Sequence, residues 1–174
     1  MANISIKGGD KWRKALSKLA QDKVIKVRAG VLEDAKTTDG KLIAQYAAYN
    51  EFGAVVRVTP KMKAFFRHRF GINLKKQKLV IPGRPFMRRT LRNHRQEWVN
   101  KVAAALKAGR TPEDVLDLIG NVMAADIQAQ IKSNMKPKNK PLTLMIKNAQ
   151  ESGRAGTLMN TGALIGAITS EVVK

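Results

Sequence analysis

The sequence predicts an α+β fold in a single domain spanning residues 1–174, with a small, mostly antiparallel sheet packed against two long helices. Three observations carry this. Residues 85–108 and 112–133, on either side of Gly109, repeat apolar side chains at helical spacing. Short β-branched runs fall near both ends of the chain and in its middle, over 24–31, 54–58, 74–81 and 167–173. Hydrophobic residues make up 44% of 174, enough for one core, and 5% aromatics make that core mostly aliphatic.

Taken in order, residues 4–6 read as a short strand or arm, and Trp12, Leu16 and Leu19 mark an amphipathic helix over 11–20. The run 24–31 puts Ile25, Val27 and Val31 on one face and Lys26 and Arg28 on the other, the pattern of a half-buried strand. A polar loop with Glu33, Asp34 and Asp39 follows. Residues 41–51 predict an alanine-rich helix with Ile43, Ala47 and Asn50 on one side and Leu42, Tyr46 and Tyr49 on another, stopped by Gly53. Thr59 and Pro60 are a cap and a first helical residue, opening a short helix with Met62, Phe65 and Phe66 that ends at Gly71. Residues 54–81 therefore form a hairpin whose tip carries a basic helical insertion. Phe65, Phe66 and Phe70 at that tip suit either insertion against a neighbour or local packing.

The stretch Ile81-Pro82-Gly83-Arg84-Pro85-Phe86-Met87-Arg88 is a rigid elbow. Its prolines fix φ and disfavour helix in the residue before each, so an extended segment must turn here into a helix, with Pro85 as its first residue. The helix that follows has Met87, Leu91, Trp98, Val102 and Leu106 as its apolar stripe, with Arg88, Arg89, Arg92 and Arg95 mostly off it. Thr111, Pro112, Glu113 and Asp114 are a strong start signal for the next helix, whose stripe is Val115, Leu118, Ile119, Val122, Ile127 and Ile131. The short link makes the pair an antiparallel hairpin. Residues 134–157 lose periodicity and read as a long extended loop. Asn160 or Thr161 can cap a short helix around Ala163. The last strand, 167–173, puts Ile168, Ser170 and Val172 on one face and pairs with an earlier strand.

Net charge is +20, from 33 basic and 13 acidic residues, and the imbalance is local. Residues 52–96 hold 13 Lys or Arg and no acid, and 127–150 hold five Lys and no acid. Such blocks favour an anionic partner, nucleic acid or an acidic protein surface. The chain has no cysteine, which excludes disulfides, thiolate metal sites and a cysteine nucleophile. His68 and His94 stand in basic surroundings, with no His–carboxylate metal spacing. No phosphate loop, dinucleotide fingerprint or nucleophile elbow occurs. The expectation is a protein without catalytic activity, cofactor or metal. The apolar runs are far short of the ~20 residues of a membrane span, and residues 1–7 lack the apolar core of a secretory signal. Arg88, Arg89, Arg92 and Arg95 could track phosphates, as could Lys61, Lys63, Arg67 and Arg69 at the tip, without base readout and with strong salt dependence.

Three motifs stand in order: Tyr49-Asn50-Glu51-Phe52-Gly53; the elbow, preceded by Val58-Thr59-Pro60-Lys61-Met62; and Leu158-Met159-Asn160-Thr161-Gly162-Ala163-Leu164. Together they resemble the head–tail joining and tail-completion proteins of long-tailed bacteriophages, also called neck or virion morphogenesis proteins and akin to the minor tail protein Z of phage lambda. The resemblance runs from about residue 45 to 173. Its marks here are Glu51, Phe52, Gly53, Pro82, Pro85, Phe86, Thr161, Gly162 and Leu164. It implies a structural protein of the virion, made in the host cytoplasm. Such a protein forms a homo-oligomeric ring of six or twelve subunits in the neck, with portal-adaptor, tail-terminator or tail-tube proteins as partners. Genomic DNA would pass through its channel without sequence-specific binding. In such a ring Arg84, Arg88, Arg89, Arg92 and Arg95, with Lys61, Lys63, Phe65, Phe66, Arg67 and Arg69, are the expected interface residues. They would meet a neighbour's acids near Glu33, Asp34 and Asp39 or Glu113, Asp114 and Asp117. The other reading is a basic, sequence-independent DNA-binding protein with no role in a virion.

Overall fold

A computed structural model describes residues 25–32, 36, 40, 42–133, 135–149, 156–158 and 162–173. The elements in order are β1 (Lys26–Val31), α1 (Ile43–Phe52), β2 (Ala54–Arg57), α2 (Pro60–Phe70), β3 (Lys78–Ile81), α3 (Phe86–Lys107), α4 (Pro112–Lys132), α5 (Pro141–Ala149), α6 (Ala163–Gly166) and β4 (Ile168–Val173). The α+β class stands, with the strands divided into two antiparallel pairs. β1 pairs with β4, from Lys26 opposite Val173 to Val31 opposite Ile168. β2 pairs with β3, from Ala54 opposite Ile81 to Arg57 opposite Lys78. The expected helix over 11–20, the acids Glu33, Asp34 and Asp39, and the cap residues Asn160 and Thr161 lie outside the described residues.

The body is layered around α4. One face of α4 lies on the β1–β4 pair and another on α3. Gly120 is where the helix meets the strands: a Cβ there would stand 2.8 Å from Val27 Cγ2 and 3.0 Å from Ser170 Cβ. Gln128 Nε2 donates to the carbonyls of Ile165 and Ile168, at 3.4 and 3.2 Å, joining α4 to the turn that leads into β4. On the other side, Trp98 of α3 donates from its indole to Asp126 at 2.7 Å. Among the described residues, the buried aromatics are Trp98, between α3 and α4, and Phe86, which is fully buried in a cluster with Ile43, Ala47, Ile127, Ile131 and Leu164.

Several expectations shift. Pro85 caps α3 from outside, and Phe86 is the first helical residue. The inward stripe of α3 runs through Phe86, Thr90 and Trp98, while Leu91 is 50% exposed. Thr90 can be fully buried because its hydroxyl donates to the Phe86 carbonyl at 2.7 Å, so a polar residue occupies a core position. Leu118 of α4 is likewise exposed. The loop expected over 134–157 is interrupted by α5, which Pro141 opens. Its run Leu142, Leu144, Met145 and Ile146 has exposed members, so no simple period marked it. The strand expected over 74–81 is assigned only from Lys78, with the Val58 amide donating to the Gln77 carbonyl at 2.8 Å just beyond it. The Thr59 and Thr111 caps are formed, each hydroxyl accepting from the amide three residues on at 3.2 Å.

Alanine at an exposed helical glycine normally stabilises by about 1 kcal/mol. At Gly120 the approach to Val27 and Ser170 reverses the sign, and G120A should cost about 1–3 kcal/mol in denaturant unfolding.

Candidate functional site

The three motif segments converge on one joint. α3 begins with Phe86, Met87 and Arg88 and has neither an acid in its first turn nor a side chain of its own at the cap. Its first amides therefore need an acceptor from elsewhere. Glu51, near the end of α1, supplies it. Its Oε2 accepts from the Met87 amide at 2.9 Å and its Oε1 from the Arg88 amide at 3.1 Å. The same Oε1 accepts from Arg88 Nε at 2.9 Å, and the Glu51 carbonyl accepts from Arg88 Nη2 at 3.1 Å. Glu51 is only 4% exposed, yet its carboxylate meets amides, a guanidinium and the positive end of a helix. The Arg88 guanidinium also lies 4.7 Å from the centre of the Phe52 ring, a cation–π contact over a residue otherwise 70% exposed.

The backbone closes behind this clamp. Gly53 has φ +80°, and a Cβ there would stand 2.9 Å from the Gly83 amide nitrogen and 3.0 Å from the Ile81 carbonyl. Only glycine tolerates both the angle and the approach. The Arg84 amide donates to the Asn50 carbonyl at 2.6 Å. Leu164, from the third motif, packs in the same core cluster as Phe86 and Ile43. Gly162 caps the short α6, and Thr161 lies outside the described residues.

Arg84 is a correction. Expected at an interface, it is 5% exposed and points inward. Its Nε donates to the Pro137 carbonyl at 2.8 Å and its Nη2 to the Lys138 carbonyl at 3.4 Å. Burial lowers its pKa, an effect partly offset by Tyr46. Beside it, Lys147 Nζ donates to the Gly156 carbonyl at 2.7 Å. The Asn139 amide, oriented by its neighbours, accepts from Lys147 at 3.2 Å and donates to the Thr157 carbonyl at 3.0 Å. The elbow thus ties down the segment that follows α4. Arg88 is a partial correction, because its side chain remains half exposed but is committed to Glu51.

The remaining basic residues are at the surface. Lys61, Lys63, Arg67 and Arg69 of α2 and Arg89, Arg92 and Arg95 of α3 are exposed, and none makes an ion pair with another described residue. No α2 residue is buried, so the arm β2–α2–β3 projects its cations into solvent. Phe65, Phe66 and Phe70 pack on one another with ring centres 5.8–5.9 Å apart, and Phe65 keeps an outward face. Among the described residues, no group of three His, Asp or Glu could hold a metal ion, and no helix is long and apolar enough to cross a membrane. No family model, curated protein or solved structure matches the chain.

Sequence reasoning missed Lys147, Asn139 and the pairing of Glu51 with Arg88. A signal for the last was present: a basic helix start with no acceptor of its own, and an acid just before Gly53.

Replacing Glu51 by Gln keeps the size but loses the charge, and E51Q should cost about 2–3 kcal/mol in chemical denaturation. R88A should cost only about 1 kcal/mol, because the amide caps stay. Equal losses would mean that the ion pair, not the capping, holds the joint. Lys147 provides a pH test. Burial, and secondarily the Arg84 charge, hold its pKa below the ordinary 10.5. The unfolded chain then binds more protons within that window, so stability should rise with pH from the lowered value up to 10.5. Unfolding of wild type and K147M at stepped alkaline pH reads this. The gap should move in favour of wild type as pH rises.

Proposed function

We propose that this chain is a structural protein of a long-tailed phage virion, a ring-forming subunit of the neck that joins or completes the tail and surrounds the DNA channel. The observation that carries this reading is the convergence of the resemblance's motifs on one joint. Glu51, Gly53 and Phe86 are spent on holding α1, the elbow and α3 together. Their occurrence at these spacings is what an assembly scaffold requires, since a rigid joint presents an arm and a helix face at a constant angle to a neighbour. Lys61, Lys63, Arg67 and Arg69 on the arm, and Arg89, Arg92 and Arg95 on α3, are the groups left for acidic partner surfaces.

A second reading, sequence-independent binding of duplex DNA, is favoured by those same exposed arginines along one helix. The two separate cleanly. Native mass spectrometry should show a six- or twelve-membered ring, alone or with a portal or tail partner. A chain that stays monomeric with those partners, yet binds DNA with an affinity falling steeply in salt, would select the second.

Charge reversal at Arg88 would break the Glu51 clamp and confuse the result. R92E/R95E avoids this. It should leave thermal unfolding nearly unchanged, within about 0.5 kcal/mol, as surface changes do. It should weaken assembly with the partner by about tenfold or more, equivalent to ~1.4 kcal/mol.

A further inference from the structure

A groove of about 740 Å³ runs between β3, α1 and α5. Its walls are apolar, with Tyr46, Tyr49, Phe66, Leu79, Leu142 and Ile146. Both tyrosines are well exposed, at 50% and 40%. Lys75, Lys76, Lys78 and Lys140 also line it, all four exposed, and among the described residues no carboxylate does. An apolar trough edged by cations that no acid balances fits an occupant combining apolar side chains with negative charge.

This chain carries such a surface. Glu113, Asp114 and Asp117, on the first turns of α4, make no ion pair with another described residue, and Leu118 beside them is exposed. Glu113 and Asp114 complement the positive end of their own helix, but Asp117 and Leu118 lie a turn further on, where that effect has faded. The two surfaces sit at opposite ends of α3. The groove reaches its start through Pro82 and Arg84, and the acids follow its end at Lys107. At ~1.5 Å per residue, the 22 residues of α3 separate them by about 33 Å, so one copy cannot join them to itself.

We infer that the acidic first turns of α4 in one copy dock into the arm-side groove of the next, with Leu118 entering between Tyr46 and Tyr49 and the carboxylates facing Lys75, Lys76 and Lys78. The contact is head-to-tail: it uses different patches on the two copies, and it leaves a groove free at one end and an acidic turn at the other, so it propagates until a ring closes. It rests on the reading that the chain assembles with itself, and names the surfaces that would do so.

The test is a charge swap read by sedimentation velocity. K75E/K76E/K78E and E113K/D114K/D117K should each lose self-association by at least tenfold; the first should keep the wild-type melting curve, and the second, which gives up the acids at the positive end of α4, should melt lower but still cooperatively. An equimolar mixture of the two should assemble again, because each acidic groove then meets a lysine-bearing helix and each basic groove a wild-type one. Carbodiimide cross-linking of mixed light and ¹⁵N-labelled wild-type copies should join Lys76 or Lys78 to Asp114 or Asp117 between copies. If both variants assemble like wild type, or the mixture fails to recover, the docking is wrong although self-assembly stands. If the wild-type chain remains monomeric alone and with neck partners, the ring reading falls and this contact with it.

Discussion

The Glu51 carboxylate is the constraint on which the rest depends. It lies in the last turn of one helix and caps the start of another 36 residues later. A carboxylate this buried would be costly without partners, but here it meets two amides and a guanidinium, at the positive end of α3. Several features follow. Gly53 must be glycine because the chain has to leave α1 against the Gly83 backbone. Pro82 and Pro85 hold the return segment extended until Phe86, which drops into the core as the helix begins. Arg84, caught between the two prolines, turns inward and fastens the segment ahead of α5. A basic helix that lacks acids in its first turn is stable at its start because the acid comes from another element.

That economy leaves the positive charge divided by role. Within the acid-free block over 52–96, Arg84 and Arg88 are structural, one buried on carbonyls and one bound to Glu51. The other cations of the block make no ion pair with a described residue, and they cluster on the arm and on the outer face of α3. A monomer gains little from holding like charges together, since they repel; a partner that neutralises them removes that cost. The geometry separates the residues that hold the joint from those available for contact with an anionic partner.

Local signals were legible in the sequence. Thr59-Pro60 and Thr111-Pro112 marked helix starts that are formed as written, because a cap and a preset φ act within three residues. The face of β4 with Ile168, Ser170 and Val172 turned inward was legible from alternation. Tertiary compensation was not. Thr90 looks polar but satisfies its own hydroxyl and is buried, whereas Leu91 looks apolar and faces out. Arg84 looks available in an acid-free stretch, and only the return of the chain 53 residues later supplies its carbonyl partner. α5 was hidden because its apolar residues are not all turned inward. At the joint, the residue types were legible as a motif, but their mutual contact was not.

The central claim is that the Glu51 clamp sets the angle between the arm and α3. The chain has no cysteine, so spin labels can be placed at will. Exposed positions suit the purpose, with R69C on the arm and N93C on α3. Pulsed electron spin resonance between these labels should give one narrow distance distribution in the otherwise wild-type chain, and a broadened or shifted one when E51Q is added. An unchanged narrow distribution in the E51Q background would contradict the account, since the arm would then be held without the carboxylate.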